Sequence, residues 1–190
     1  MYNRSAVVTV GFFGGSFNPP HVAHVLAAAY ALSAHALDRL VVVPCYDHPL
    51  GKHLAPFVER AAMCERAFGV LRGVEVSPIE QELGATSRTL YTLQALKERN
   101  PDWSLRLVIG SDILHETDKW FRWDEIVKLA PPIVLGRAGH DHPDGPLAVL
   151  PPVASRDIRA ALARGDLRPG LLPLSVERYI AERGLYRDAT

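Results

Sequence analysis

Two histidines three residues apart carry the clearest chemical signal in this sequence. Residues 11–24 read G-F-F-G-G-S-F-N-P-P-H-V-A-H, so His21 and His24 follow the glycine pair Gly14 and Gly15. At the start of a helix, side chains with this spacing share one face. Both imidazoles could then donate hydrogen bonds to one anion, assisted by the helix N-terminus. Glycine lacks a Cβ, so the backbone there could turn sharply and admit a phosphate to its N–H groups. Either histidine alone could be a cap or a core residue, but the pair after G-G-S-F-N-P-P favours phosphate binding.

The elements around this stretch predict an α/β fold. An apolar run precedes it and a helical pattern follows it, and α/β proteins bind phosphates at such strand–helix junctions. The alternation continues along the chain, which favours a Rossmann-like doubly wound parallel sheet with right-handed crossovers. The predicted strands are 7–13, 39–43, 74–76, 105–109, 133–135 and 148–150. The predicted helices are 22–35, 56–71, 88–99, 123–129, 155–163 and 175–183, the last beginning with an N-cap at Ser175 and ending at Gly184.

Composition narrows the class of protein. With 190 residues, a single domain over residues 1–190 is expected. The 21 Lys and Arg residues balance 21 Asp and Glu residues, which argues against a nucleic-acid or membrane partner because such partners usually require a basic excess. Cys45 and Cys64 favour two cytosolic thiols over one bridge. No signal-peptide pattern or bilayer-length apolar stretch is found, so we expect a cytoplasmic protein.

Residues 14–24 resemble the G-G-[ST]-F-D-P-x-H-x-G-H signature of the nucleotidyltransferase superfamily, which includes adenylyltransferases and cytidylyltransferases. Five further blocks resemble, in order, those of the bacterial nicotinate-nucleotide adenylyltransferases. They are H-P-L-G-K at 48–52, S-R-T-L-Y-T-L at 87–93, I-G-S-D at 109–112, W-F-R-W at 120–123 and V-A-S-R-D-I-R at 153–159. The order of the blocks is much more specific than any one of them.

The resemblance implies which residues form the site. Four cationic or hydrogen-bonding side chains would be catalytic, by neutralising charge on the phosphates: His21, His24, Lys52 and Arg159. The implied substrate-binding residues are Gly14, Gly15, Ser16, Phe17, Asn18, Thr89, Thr92, Gly110, Asp112, Trp120, Ser155 and Arg156.

Several of these residues have a physical interpretation of their own. Asp112 follows a strand and could accept hydrogen bonds from ribose hydroxyls, or cap the next short helix. We expect Trp120 to stack on a pyridine ring and Trp123 to lie in the core. Thr89 and Thr92 could reach a pyridine carboxylate, or they could be ordinary residues of a helix face. Ser155 and Arg159, one helical turn apart, would form a second anion site at a helix N-terminus.

The match also departs from the family pattern near both substrate positions. Asn18 replaces an Asp, Ala23 a Gly, Arg88 a Tyr, Tyr91 an Asp, Ala154 a Ser and Arg156 a Thr. Arg156 could restore positive charge at the triphosphate site, or it could point to solvent. These departures put in question which mononucleotide is used and whether activity is retained.

The implied reaction is adenylyl transfer from ATP to nicotinate mononucleotide, forming deamido-NAD and pyrophosphate in NAD biosynthesis. The attacking phosphate is already an anion, so positioning and charge stabilisation would suffice. Mg²⁺ would accompany ATP, held mostly by phosphates and water and not by a metal site of the protein. The alternatives are nicotinamide mononucleotide, another acceptor such as phosphopantetheine, a choline-type phosphate or a sugar phosphate, and a non-catalytic nucleotide-binding protein. Assembly into a homo-oligomer is allowed.

Overall fold

Six parallel strands form the sheet at the centre of the structure. The computed structural model describes residues 7–47, 54–84, 88–140, 146–166 and 170–187. The strands are β1 Val8–Gly15, β2 Arg39–Pro44, β3 Val74–Val76, β4 Trp103–Gly110, β5 Pro132–Arg137 and β6 Ala148–Leu150. Their spatial order is β3-β2-β1-β4-β5-β6. The order reverses between β1 and β4, which is where doubly wound sheets bind ligands.

Helices cover both faces of this sheet, as predicted. They are α1 Val22–Ala34, α2 Phe57–Phe68, α3 Ile79–Leu83, α4 Thr89–Arg99, α5 Trp123–Leu129, α6 Ser155–Ala163 and α7 Leu174–Arg183, with a 3₁₀ segment at Ser111–Lys119. The sequence analysis missed α3, because five residues are too few to show a helical period. No helix within the described ranges is both long and apolar enough to cross a lipid bilayer.

Alternating strand residues divide the core into two layers. In β2, Leu40 and Val42 pack with α1, α2, α6 and α7, whereas Val41 and Val43 pack with α3, α4 and α5. This period of two, with both faces apolar, is typical of a parallel sheet covered on both sides. The sheet is therefore a rigid platform whose carboxyl edge is free to carry a site.

The end of β1 differs from the prediction. The strand continues through Gly14 and Gly15, which pair with Val43 and Pro44 of β2. A Cβ on Gly14 would lie 2.8 Å from the Phe12 ring, and one on Gly15 would lie 3.2 Å from the Phe17 ring. The predicted sharp turn at the glycines is therefore wrong, because the glycines make room for aromatic rings. The chain turns instead at Phe17, which has a φ of 45°.

The last helix also begins differently. α7 starts at Leu174, with Pro173 as its N-cap. The predicted cap, Ser175, donates its hydroxyl to the Arg66 carbonyl oxygen at 2.9 Å. This bond attaches α7 to α2. Gly184 ends the helix in the left-handed conformation, with a φ of 64°, as expected for a C-cap glycine.

Candidate active site

Two adjoining cavities lie at the carboxyl edge of the sheet, beside β1 and β4. Their volumes are about 470 Å³ and about 220 Å³. Gly14, Gly15 and Trp120 line both cavities. The switch point of the sheet thus offers two compartments in contact with each other, an arrangement suited to a reaction that joins two molecules.

The predicted histidine pair lines the smaller cavity. His21 is the N-cap of α1, and its backbone N–H donates to Nδ1 of His24 at 3.1 Å. The two rings are stacked, with centroids 3.7 Å apart and planes 22° apart. Because Nδ1 of His24 accepts a hydrogen bond, its neutral imidazole carries the proton on Nε2. Nδ1 of His21 is buried and has no hydrogen-bond partner among the described residues.

Both histidines are uncharged near neutral pH. Burial, with the Arg137 guanidinium nearby, lowers the pKa of His21 to about 4. Burial, His21 and Arg137 together lower the pKa of His24 well below its ordinary value. In the free protein these side chains are therefore neutral hydrogen-bonding groups, and an arriving anion would favour their protonation.

Arg137, at the end of β5, was missed by the sequence analysis. One of its nitrogens, Nη1, donates to Asp112 at 2.7 Å, and Nη2 donates to the Val153 carbonyl oxygen at 2.6 Å. A charged residue at the carboxyl end of an apolar strand was the available signal, since such residues lie at the ligand edge of the sheet. The paired residues Arg137 and Asp112 both line the smaller cavity, together with Gly110.

Gly110 allows Asp112 to approach the strand end. A Cβ on Gly110 would lie 2.3 Å from Oδ1 of Asp112. A side chain there would displace the carboxylate, so the I-G-S-D spacing has a steric reason. That Asp112 binds a ribose remains a prediction.

The larger cavity contains the predicted residues Ser16, Thr89 and Trp120. The Trp120 ring meets Trp123 edge to face, with centroids 5.5 Å apart. Trp123 is among the residues packed on the core and lines neither cavity. Both tryptophans are partly buried against the same core cluster, and Trp120 alone of the two also lines the cavities. Stacking of Trp120 on a pyridine ring stays a prediction.

Thr92 lines neither cavity, although its hydrogen-bond partner Glu80 lines the larger one. Its side chain is 1% exposed, and its hydroxyl donates to Oε1 of Glu80 at 2.9 Å. The other Glu80 oxygen accepts the Tyr46 N–H at 3.0 Å. Thr92 therefore connects α4 to the loop after β2 through Glu80, which the sequence analysis did not identify. Its proposed contact with a pyridine carboxylate remains a prediction.

The residues Phe17, Asn18 and Pro19, hereafter the 17–19 turn, are buried beneath the site. Arg159 donates from Nη1 to the Asn18 carbonyl oxygen at 2.7 Å, and Ser155 donates to that of Pro19 at 2.9 Å. Both side chains, predicted to bind phosphate, thus contact the turn that precedes the histidines. Neither lines a cavity, and their contacts with substrate remain predictions.

Arg156 points to solvent, the second of the two alternatives predicted for it. Its side chain is 83% exposed and pairs with the neighbouring Asp157 at 3.3 Å. The hydroxyl lost at this position is therefore not replaced by a cation aimed at the cavities.

Two further expectations concern cations and thiols. Lys52 lies outside the described residues. Within the described ranges, no group of three or more His, Cys, Asp or Glu side chains is placed to hold a metal ion. Cys45 and Cys64 are free thiols, and Cys45 lines the larger cavity.

Comparisons with known proteins agree with this architecture. The sequence model of the Cytidylyltransferase-like family matches residues 12–162. A probable nicotinate-nucleotide adenylyltransferase of Anaeromyxobacter sp. (strain K) is 48% identical, over 94% of this chain and 96% of the relative. The protein of the same name from Myxococcus xanthus is 41% identical, over 94% of this chain and 95% of the relative.

Solved structures show the same fold at low identity. The Plasmodium falciparum nicotinic acid mononucleotide adenylyltransferase complexed with NaAD superposes with a TM-score of 0.80 and 19% identity, covering 96% of this chain and 98% of that chain. The same enzyme complexed with APC gives a TM-score of 0.79 at 18% identity, with the same coverage of both chains.

Proposed function

Because this chain belongs to the nicotinate-nucleotide adenylyltransferase family, we propose that it transfers the adenylyl group of ATP to nicotinate mononucleotide. The products are deamido-NAD and pyrophosphate, as in NAD biosynthesis. The observation that carries this proposal is the pair of adjoining cavities, with Trp120 in the wall of both and the histidine pair in one.

In this reaction an oxygen of the acceptor's 5′-phosphate attacks the α-phosphorus of ATP. The bond from the α-phosphorus to the bridging oxygen breaks, and pyrophosphate leaves with that electron pair. The protein's task is to align the two phosphates and to stabilise the charge of the transition state. His21 and His24 at the start of α1 are suited to this task, since the helix N-terminus adds its own positive potential.

We assign the phosphates and ribose of ATP to the smaller cavity and the ring of the acceptor to the larger one. The smaller cavity combines the histidines with Asp112, which could accept from a ribose hydroxyl, as the resemblance implies. The larger cavity has Trp120 for a flat ring and Thr89 for a polar substituent. The two phosphates would then meet beside Gly14 and Gly15, where both cavities share their wall.

Arg88 supports an acidic acceptor. Its guanidinium carbon lies 4.5 Å from the centre of the Phe121 ring, and both residues line the larger cavity. No carboxylate in the described ranges pairs with Arg88, whereas Lys119 of the same wall pairs with Glu116 at 3.3 Å. A cation held on an aromatic face is suited to recognise the carboxylate that distinguishes nicotinate from nicotinamide.

Mg²⁺ enters this proposal as part of the MgATP substrate. Phosphate oxygens and water satisfy most of the coordination of this ion. Asp112 is the carboxylate in the wall of the smaller cavity, and its Oδ2 already accepts from Arg137. The proposal therefore assigns no direct metal ligand to the described chain. It implies a cytoplasmic location, where ATP is available.

The test is pyrophosphate release with MgATP and either nicotinate or nicotinamide mononucleotide. We expect a strong preference for the acid, with deamido-NAD identified by mass spectrometry. A preference for the amide would contradict the assigned acceptor. ATP binding with no release from either mononucleotide would favour another acceptor or a non-catalytic nucleotide-binding protein.

A further inference from the structure

A hydrogen bond joins the segment that follows α7 to the 17–19 turn. The Tyr186 hydroxyl donates to Oδ1 of Asn18 at 2.7 Å. The same oxygen accepts the Ala55 N–H at 3.1 Å, and the Asn18 carbonyl oxygen accepts from Arg159. One buried residue, with 2% of its surface exposed, thus receives three donors from distant parts of the chain.

The backbone at both ends of this bond is in an unfavourable conformation. Tyr186 has a φ of 62°, and Phe17, which precedes Asn18, has a φ of 45°. Bulky residues rarely adopt left-handed values, and such residues persist where their surroundings hold them. The contacts of Tyr186 therefore offset the conformational cost of its positive φ. Its hydroxyl makes one of these contacts, the hydrogen bond to Asn18.

The turn that receives this bond lies directly before the histidines and contacts His24. Phe17 meets the His24 ring nearly edge to face, with centroids 5.0 Å apart. Only Pro19 and Pro20 separate Asn18 from His21, so the connection is short and stiff. A shift of Asn18 would move both imidazoles.

We propose that the Tyr186 hydroxyl is a positioning group for nucleotidyl transfer, which acts by holding Asn18 and thereby the histidine pair. The catalytic part of this inference rests on the proposed function. Tyr186 lines neither cavity, so it acts through Asn18 and not on a substrate.

The competing explanation is that Tyr186 only attaches α7 to the body of the protein. A second tyrosine hydroxyl, on α7 itself, offers a control. The Tyr179 hydroxyl donates to Oε2 of Glu59 on α2 at 2.8 Å, away from the turn. Tyr186→Phe and Tyr179→Phe each remove one hydroxyl and keep the ring.

The first experiment compares kcat, KM and the thermal midpoint of both variants with those of the wild type. We expect Tyr186→Phe to lower kcat about five- to tenfold, as the loss of one hydrogen bond in a pre-aligned site would, with KM nearly unchanged. Tyr179→Phe should leave kcat within about twofold, whatever its effect on the midpoint. An unchanged kcat in Tyr186→Phe, or an equal fall in both variants, would overturn the proposal.

The second experiment needs no activity. The imidazole resonances of His21 and His24, followed by ¹H–¹⁵N NMR in the free protein, should shift in Tyr186→Phe and stay in place in Tyr179→Phe. Absence of a shift in Tyr186→Phe would contradict the positioning role. If the wild type makes no dinucleotide, the proposed function fails, and this measurement still decides whether Tyr186 positions the histidines.

Discussion

His21 and His24 form a single unit at the residue scale, since one imidazole orients the other. The His21 N–H fixes the tautomer of His24, and the two rings are stacked on each other. The unit is neutral in the free protein and becomes a better anion site as phosphate arrives. Its catalytic contribution should therefore appear in turnover more than in ground-state binding.

Replacing His24 by alanine tests this contribution. We expect His24→Ala to lower kcat by about two to three orders of magnitude, the usual effect of removing one donor from a transition-state anion site. The control is His35→Ala, at the other end of the same helix. Near-wild-type turnover in His24→Ala, with an unchanged melting curve, would refute the assigned role.

Arg88 is the residue that we expect to favour the acid mononucleotide over the amide. Arg88→Gln should reduce the ratio of kcat/KM for the acid over the amide mononucleotide by about tenfold or more, because a charge-assisted bond to the carboxylate is lost. Arg122→Gln is the matched control. Its guanidinium also lies over Phe121, at 5.8 Å, but it lines neither cavity and pairs with Glu125. Equal changes in both variants would show that Arg88 acts only by packing on Phe121.

At the scale of elements, the side chain of Arg60 on α2 connects the loops at the carboxyl edge of the sheet. This side chain is 1% exposed. Its guanidinium donates to the carbonyl oxygens of Ser16, Ala55 and Tyr46 at 2.9, 2.9 and 3.2 Å. The segments after β1 and β2 thus share one planar cation, which keeps the wall of the larger cavity in place.

A lysine at this position could not reach three carbonyls in one plane. We expect Arg60→Lys to lower the free energy of unfolding by about 3 kcal/mol, because buried acceptors lose their partners. Urea unfolding gives this value. Arg66→Lys, an exposed change on the same helix, should cost less than about 1 kcal/mol. A small effect at Arg60 would mean that the loops do not depend on it.

At the scale of the whole molecule, the strand order brings together residues that are far apart in the sequence. His21, Asp112 and Arg137 come from three separate segments and line one cavity. This arrangement buries His21 in its neutral form. The free energy of unfolding should therefore depend on pH.

Stability should fall in mild acid. The folded pKa of His21, about 4, lies below its ordinary value of 6.5. The unfolded chain therefore binds the proton first, and stability present above about pH 6.5 is lost as the pH falls toward 4. For His21 alone this amounts to about 2 kcal/mol between pH 7 and pH 5, and His24 acts in the same direction. In urea titrations at several pH values, His21→Asn should flatten this dependence. A parallel pH dependence in the variant would assign the acid sensitivity to other groups.

Local patterns predicted much of this molecule. The six strands were predicted because short strand-like runs alternate with helical patterns, which is typical of a parallel sheet. The spacing of the histidines placed them correctly at the start of α1. Gly14 and Gly15 were misread because the rings of Phe12 and Phe17, each two residues away, occupy the space that a Cβ would need. Tyr186 could not have been found, since its partner Asn18 lies 168 residues away and no local pattern encodes that distance.

The central place of β1 has a kinetic consequence. Its neighbours are β2, which follows soon after it, and β4, whose Trp103 pairs with Val8 across about 95 residues. Contacts of such long range form late in folding. Until β4 arrives, the far edge of β1 presents unpaired backbone groups next to Val10 and Phe12, both buried in the finished protein. An open apolar edge of this kind can pair with another chain. The strand that carries the active site is thus also the segment where refolding and aggregation compete, and refolding yield should fall as protein concentration rises.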